Sequence, residues 1–429
     1  MPSLDPEDRL AHRIHGRNTL LAGCGTTVTV FMLAVFGYLA WANTLPAPEP
    51  DVRVLPSPNG YDSCCAVVAS LRGGASTGTP WESDLDDLRK DLSPERPRLA
   101  ALHAAVRLPY EAPANDPNYH LRFAMYRRTC RLLAAETRLE LAAGRPGVAA
   151  QRALDAVELG AKIGRVGPWG LTLVGAACMG IGQNAAERCV PALSAPEAHA
   201  TRKRLDEIFS QLPKPGDVMD TERRYSLAFV REVFAGRAPI ASSPAAFGIP
   251  TTWSDRLKER AWLVVYPKSW GYGQEDQYWR SLAAELRKPY GKQSAPRLTL
   301  PDTDPVLGGS HVDFQTLQFP FARIQASLRL LRAELALREY HLQHGAYPAA
   351  LQQLTPGELT AAALDPFVDQ PLRYRRQGAG YVLYSVGPDL QDDGGLPIVS
   401  RGVSSSSKGD LVAGKLFTSR KASTSSPRY

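Results

Sequence analysis

Three groups of side chains in this chain have the types and spacing that chemistry uses. Asp389, Asp392 and Asp393 place three carboxylates within five residues, where they repel one another unless water or a positive charge intervenes. His341 and His344 lie about one turn apart on a helical pattern, a spacing that can offer two imidazoles to a metal. Ser405-Ser-Ser-Lys408 has the S-x-x-K letters of a serine nucleophile with its lysine base. The last sits in a serine run beside Gly409, where no rigid wall would hold the pair, and the histidines have no third ligand near in sequence, so they read as ordinary side chains. HExxH, the P-loop, the dinucleotide-binding glycine pattern and the nucleophile elbow are all absent from the sequence. No catalytic constellation is legible, and the expectation is a protein that is not an enzyme.

The chain that must position these groups has 429 residues, 44% hydrophobic and 22% charged, enough for packed cores in two or three domains. Its net charge of +7 is modest, and basic and acidic residues are interleaved rather than gathered in a stripe. That pattern lacks the footprint of a nucleic-acid binder. From Leu20 to Trp41 no residue is charged. As a helix this run spans roughly 33 Å, matching a hydrocarbon core of about 30 Å. Arg9, Arg13 and Arg17 precede it and Glu49 and Asp51 follow, which predicts a single-pass anchor in a bacterial inner membrane, N-terminus cytoplasmic and bulk extracytoplasmic. Leu21-Ala22-Gly23-Cys24 spells a lipoprotein box, but the apolar stretch follows the cysteine instead of preceding it. Ala40-Trp41-Ala42 has the form of a signal-peptidase site, so cleavage after Ala42 is the rival reading. The length of the apolar run and the acids Asp5, Glu7 and Asp8 before it favour retention.

Residues 1–18 thus form a cytoplasmic tail and 19–42 a transmembrane helix. Five prolines between Leu45 and Pro58 mark 43–60 as a semi-rigid stalk. Residues 61–297 read as an α-helical domain without strands. A helix over Leu121 to Gly144 stops at a glycine, and Pro146 opens a second that runs to Gly164, together a helical hairpin. No second copy recurs at a period of about 34 residues, so a repeat array is not indicated. Pro168 to Val190 is apolar and rich in small residues, yet Gln183 and Asn184 interrupt it and Gly175, Gly180 and Gly182 lower its helix propensity. It reads as a buried central helix rather than a second span. Trp253, Trp262, Trp270 and Trp279, with Tyr266, Tyr272 and Tyr278, form an aromatic cluster that either fills gaps between helices or edges a ligand cleft. Cys64, Cys65, Cys130, Cys178 and Cys189 show no CxxC spacing and read as buried free thiols. Residues 298–310, with Pro301, Pro305, Gly308 and Gly309, read as a linker.

Residues 311–418 hold the most informative pattern. Ile324, Leu328, Leu331, Leu335 and Leu342 recur at helical spacing, and a short helical piece follows at Leu351 to Leu354. Leu372 to Arg376 and Tyr381 to Val386 are β-like runs joined by a hairpin signal at Gln377 to Gly380, and Leu411 to Leu416 supplies a third strand. In this order REYHLQHGAYPAALQQL, LDPFVDQPLRYR and GYVLYSVGPDLQDDGG resemble the C-terminal globular part of type II secretion major pseudopilins, over roughly Phe321 to Leu416. The whole arrangement of anchor, helical domain and module is similar to a group of bacterial single-pass membrane proteins. The resemblance implies a long helix, a Tyr-Pro turn, an Asp-Pro stretch and a small antiparallel sheet. It also implies a calcium-binding loop, with Asp389, Asp392 and Asp393 as Ca2+ ligands and Asp410 as an additional donor. A hard cation there would relieve the carboxylate repulsion. The sequence departs from that family at Gly16, which is followed by neither the Phe nor the Glu of a pseudopilin leader.

The expected fold class is therefore mainly α: a single N-terminal transmembrane helix, an α-helical hairpin domain and a small C-terminal α+β pseudopilin-like module with an antiparallel sheet. Residues 419–429, basic and Ser-rich, read as a disordered tail. The expected function is a membrane-anchored extracytoplasmic interaction or scaffold protein with protein partners in the cell envelope and no nucleic acid. The alternatives are a subunit of a type II secretion or pilus-like assembly, and a ligand-binding protein or enzyme with a cleft in the helical domain.

Overall fold

Glycines that lower helix propensity in the sequence set the centre of the fold. In the computed structural model, helices α5 (Phe123–Ala142), α6 (Pro146–Val166) and α7 (Trp169–Cys189) pack together, and α6 and α7 meet backbone to backbone. A Cβ on Gly160 would lie 2.6 Å from the carbonyl oxygen of Gly175, one on Gly182 2.7 Å from that of Ala153, and one on Gly175 closer still to Gly160 O. Only glycine permits that approach. Gly144, at φ +74°, ends α5 as the sequence predicts. Helix α6 runs past Gly164 to Val166, because Gly164 serves as a contact with α7 and not as a cap.

The structure describes residues 27–46, 54–113, 119–240, 250–296, 314–355, 357, 359, 363–398 and 403–414. The tail 1–18, the charge-free segment up to Thr26, residues 47–53 of the stalk, the linker 298–310 and the tail 419–429 lie outside the described residues. The chain forms two compact units. One comprises Met1–Glu49, Ser226–Gln277 and Leu300–Ser310, the other Pro50–Tyr225, Tyr278–Thr299 and His311–Tyr429.

In the larger unit α6 is buried on all sides, so its charged residues need internal partners. Asp155 Oδ1 accepts from Arg204 Nη2 (2.5 Å) and Asp155 Oδ2 lies 2.7 Å from His103 Nδ1. Glu158 takes Arg204 (2.8 Å) and Lys162 (2.8 Å), whose ammonium also donates to the Val106 and Leu108 carbonyls. This network clamps α4 (Arg96–Arg107) and α8 (Ala195–Ser210) onto α6. Helices α2 (Gly60–Ser70) and α3 (Leu85–Leu92) complete one end, α2 against α4 and α5, and α3 against α5.

Helix α12 (Phe314–His344) is buried on two faces at once. Ile324, Leu328, Leu331 and Leu335 join the core of α6, α7 and α8. Ala326, Leu330, Ala333 and Leu337 face a separate core with Phe367, Leu372, Leu383 and Leu411. On the α8 side buried Glu339 pairs with Arg202 (3.1 Å) and His199 (2.9 Å). The second core is roofed by a three-stranded antiparallel sheet, β3 (Arg373–Gln377), β4 (Gly380–Ser385) and β5 (Leu411–Val412). Gln377 pairs with Gly380, so the hairpin turns where the sequence predicts. Two short strands, β1 (Leu364–Asp365) and β2 (Gln370–Pro371), were not signalled by alternation; buried Asp365 holds them to β4 by accepting from Val386 N (2.8 Å) and Ser385 Oγ (2.9 Å). The described chain is thus mainly helical with small antiparallel sheets.

In the smaller unit residues 27–42 form helix α1, with Val30, Phe31, Leu33 and Phe36 exposed. Among the described residues no helix is long and apolar enough to cross a membrane. The described part of the segment is shorter than the about 20 residues a crossing needs. Helices α10 (Trp253–Val265) and α11 (Lys268–Leu286), with Tyr266 in the turn between them, carry the aromatic cluster, and α9 (Pro215–Phe234) brings Phe234 against it. Tyr266 and Tyr272 are buried, the former 5.7 Å from the Phe234 ring, while Trp253 is 78% exposed. In the larger unit Tyr278 and Trp279 are buried with ring centroids 5.3 Å apart. The thiols of Cys64, Cys130, Cys178 and Cys189 are free and buried, and Cys65, half-buried, has its Sγ 3.4 Å from the Tyr126 hydroxyl.

Candidate functional site

One exposed face of α7 shapes a cleft. Leu173, Ala177, Gly180 and Asn184 recur at helical spacing, and the small side chains leave a trough that α5, α12 and the loop before α3 close into a cleft of about 1210 Å³. Nothing lies within 4 Å of where a Gly180 Cβ would be, unlike the glycines of the α6 contact. Trp81 and Phe319 supply aromatic walls.

The charged groups in this cleft are mostly cationic. Arg131, Arg188 and Arg323 line it against one acid, Glu82. The Arg188 guanidinium lies 4.5 Å from the Trp81 ring centroid, and its Nε donates to Asn184 Oδ1 (3.4 Å). Arg323, on α12, is half-buried, and burial draws its pKa down; among the described residues it has no ion pair. Gln183, fully buried, donates from Nε2 to Glu187 (2.6 Å) while its Oε1 finds no hydrogen-bond partner. The cleft therefore offers a planar five-donor fork and an apolar floor, which suits an anion attached to an apolar body.

The candidate residues read from the sequence lie elsewhere. Asp389 accepts from Gln391 N (3.3 Å) and Gly409 N (3.2 Å). Asp392 takes the Tyr384 hydroxyl (2.8 Å), Gly394 N (3.1 Å) and Arg373 (3.1 Å), and the Tyr384 hydrogen bond leads in holding its carboxyl below the usual range. Buried Asp410 accepts from Gly395 N (2.7 Å) and Asp393 N (3.4 Å); burial, then Asp392 and Asp393, push it up to about 6. Backbone donors, the Tyr384 hydroxyl and one guanidinium thus take up oxygens of Asp389, Asp392 and Asp410. Among the described residues no group of three or more His, Cys, Asp or Glu is placed to hold a metal ion. His344 stacks on Tyr340 at 4.0 Å and His341 packs on Tyr347 at 4.3 Å, which accounts for both as packing side chains. Ser404 and Ser407 close an exposed turn on each other, next to Lys408.

Trp279 of the aromatic cluster is not among the residues that line the cleft. Its residues come from three distant stretches, around Trp81, Arg131 to Arg188, and Phe319 to Ser327. The one sequence signal pointing to it was the run of small residues along α7. Comparison of the chain with protein-family models, with curated proteins and with solved structures finds no match.

Proposed function

We propose that this protein is a membrane-anchored extracytoplasmic binding protein whose cleft between α5, α7 and α12 takes a ligand with an anionic group on an apolar body, without catalysis. The observation that carries this reading is the Arg323 guanidinium, half-buried on the cleft wall with Arg131 and Arg188 and without an ion pair among the described residues. An anion there would offset that burial, and Trp81, Phe319 and Leu173 would cover the apolar body. Octanoate, with neutral octanol as its control, titrated into the full chain in detergent tests this. Octanoate is expected to bind at least about tenfold tighter than octanol, and Arg323→Met to abolish the difference. Equal binding of the two, or an unaffected Arg323→Met, removes the proposal.

The anchor rests on the uncharged run from Leu20 to Trp41 after Arg9, Arg13 and Arg17, and on the apolar side chains that α1 leaves exposed. It places the cleft-bearing unit outside a bacterial inner membrane. Release of the chain from membranes by alkaline carbonate would contradict it. A second reading, a subunit of a type II secretion or pilus-like assembly, draws on the order of α12, the Tyr347-Pro348 turn and the β3 to β5 sheet. It predicts processing near Gly16 and co-purification with filament components.

A further inference from the structure

A pocket of about 420 Å³ adjoins the cleft and shares Asn184 and Arg188 with it. Its wall carries Glu187 from α7 and Glu334 from α12, together with Tyr347 and Tyr381, whose ring centroids are 4.7 Å apart. Glu334 is 8% exposed, and its Oε2 meets no hydrogen-bond donor. Other buried acids of the bundle are provided for: Asp155 and Glu158 on α6 share Arg204, and Glu339 on α12 has Arg202. The two arginines near the pocket are engaged elsewhere, Arg338 Nε with the Leu193 carbonyl (3.0 Å) and Arg188 with the Trp81 face. Glu187 accepts only a neutral amide, from Gln183 (2.6 Å), and a backbone N–H from Gly414. Two carboxylates thus face one small cavity with no cation between them.

We propose that this pocket is an ammonium subsite: a primary amine of the ligand enters between Glu187 and Glu334 while its anionic group lies in the adjoining cleft. This deepens the reading of the cleft and rests on it, making the ligand an amphiphile that carries both a primary amine and an anion. The chemistry matches on three counts. An ammonium brings three N–H donors to carboxylate oxygens that include the orphan of Glu334. Tyrosine faces attract a cation that has shed water. A hard metal ion would ask for six or more oxygens, and no such set converges here among the described residues.

In the unliganded pocket a proton takes the cation's place. Burial pushes both carboxyls up, and the charge of Glu187 pushes Glu334 further. The groups facing the pair are Arg188, Arg338, Tyr347 and Tyr381, and none of them supplies a contact cation. An entering ammonium keeps its own three protons and displaces the one held between the carboxylates, which passes to the buffer.

Calorimetric titration of octylamine, octanoate and 8-aminooctanoate into the full chain in detergent, at pH 7 and in two buffers of different ionisation heat, tests this. Octylamine is expected to bind with release of about one proton. The bifunctional ligand should bind at least about tenfold tighter than octanoate. Glu334→Gln and, independently, Glu187→Gln should weaken octylamine about tenfold and leave octanoate unchanged. Octanoate binding without octylamine binding overturns the subsite and leaves the cleft reading standing; octylamine binding unchanged in both variants also overturns it. Octylamine binding lost in either variant, in a protein that does not take octanoate, upholds the amine site and overturns the anionic cleft.

Discussion

Two glycines on one helix make the packing argument quantitative. Gly175 and Gly180 are both interior to α7 and both lie in the same run of small residues, so helix propensity alone predicts that alanine at either gains up to about 1 kcal/mol. The structure separates them. A Cβ at Gly175 would meet Gly160 O well inside van der Waals contact, with Gly164 N at 2.8 Å, and both obstacles are backbone that no rotamer can move. Forcing apart two helices that share this contact costs about 1 to 3 kcal/mol or more for overpacking, which outweighs the propensity gain. Gly175→Ala is therefore expected to lose about 1 to 2 kcal/mol net, while Gly180→Ala gains about 0.5 to 1 kcal/mol because its Cβ points into the open cleft. Urea unfolding of the full chain in detergent, followed by far-ultraviolet circular dichroism, measures both. If Gly175→Ala is as stable as the parent, α6 and α7 do not touch through their backbones, and the cleft built on the other side of α7 loses its frame.

Arg204 neutralises two buried acids, so Arg204→Met should cost about 3 to 5 kcal/mol, and a loss below about 1 kcal/mol in thermal unfolding would show that Asp155 and Glu158 are solvated. His103 should give a pH dependence. Burial pulls its pKa down, but hydrogen bonds to Asp155 and Glu136 outweigh it and raise the net value. A raised imidazole pKa gives stability that is fully present below the ordinary value of about 6.5 and is lost as pH rises through the folded value. His103→Gln should accordingly flatten the fall in melting temperature above about pH 6.5, and an unchanged slope rejects the assignment. For the acidic loop, saturation with chelator should leave the melting temperature unmoved, since N–H donors and Arg373 already hold Asp389, Asp392 and Asp410. A drop of several degrees would reinstate calcium.

The regular elements were legible because they follow local rules. Gly144 and Pro146 bracket a turn by their own backbone preferences, and Gln377 to Gly380 sits between two alternating runs. The short β1 and β2 pair was not legible, since its strands exist only through Asp365 reaching across to Val386 and Ser385. The cleft was legible only as a smear of small residues on α7. Nothing in the sequence joins Trp81 to Arg188 or leaves Arg323 on the cleft wall without an ion pair among the described residues, because both are facts about helices brought together from far along the chain.

By itself the sequence determined the uncharged run at the N-terminus, the helical character of the middle and the helix-then-hairpin order at the end, since each depends on periodicity, charge and turn chemistry within a few residues. Only the tertiary structure decided what the charged residues mean. On α6 and α12, Asp155, Glu158, Glu334 and Glu339 look alike as letters on helices. Packing gave Arg204, Lys162 and Arg202 to three of them and left Glu334 facing a cavity. The physical reason is that the cost of a charge depends on what surrounds it when water is removed, and that is set by neighbours that sequence spacing does not reveal.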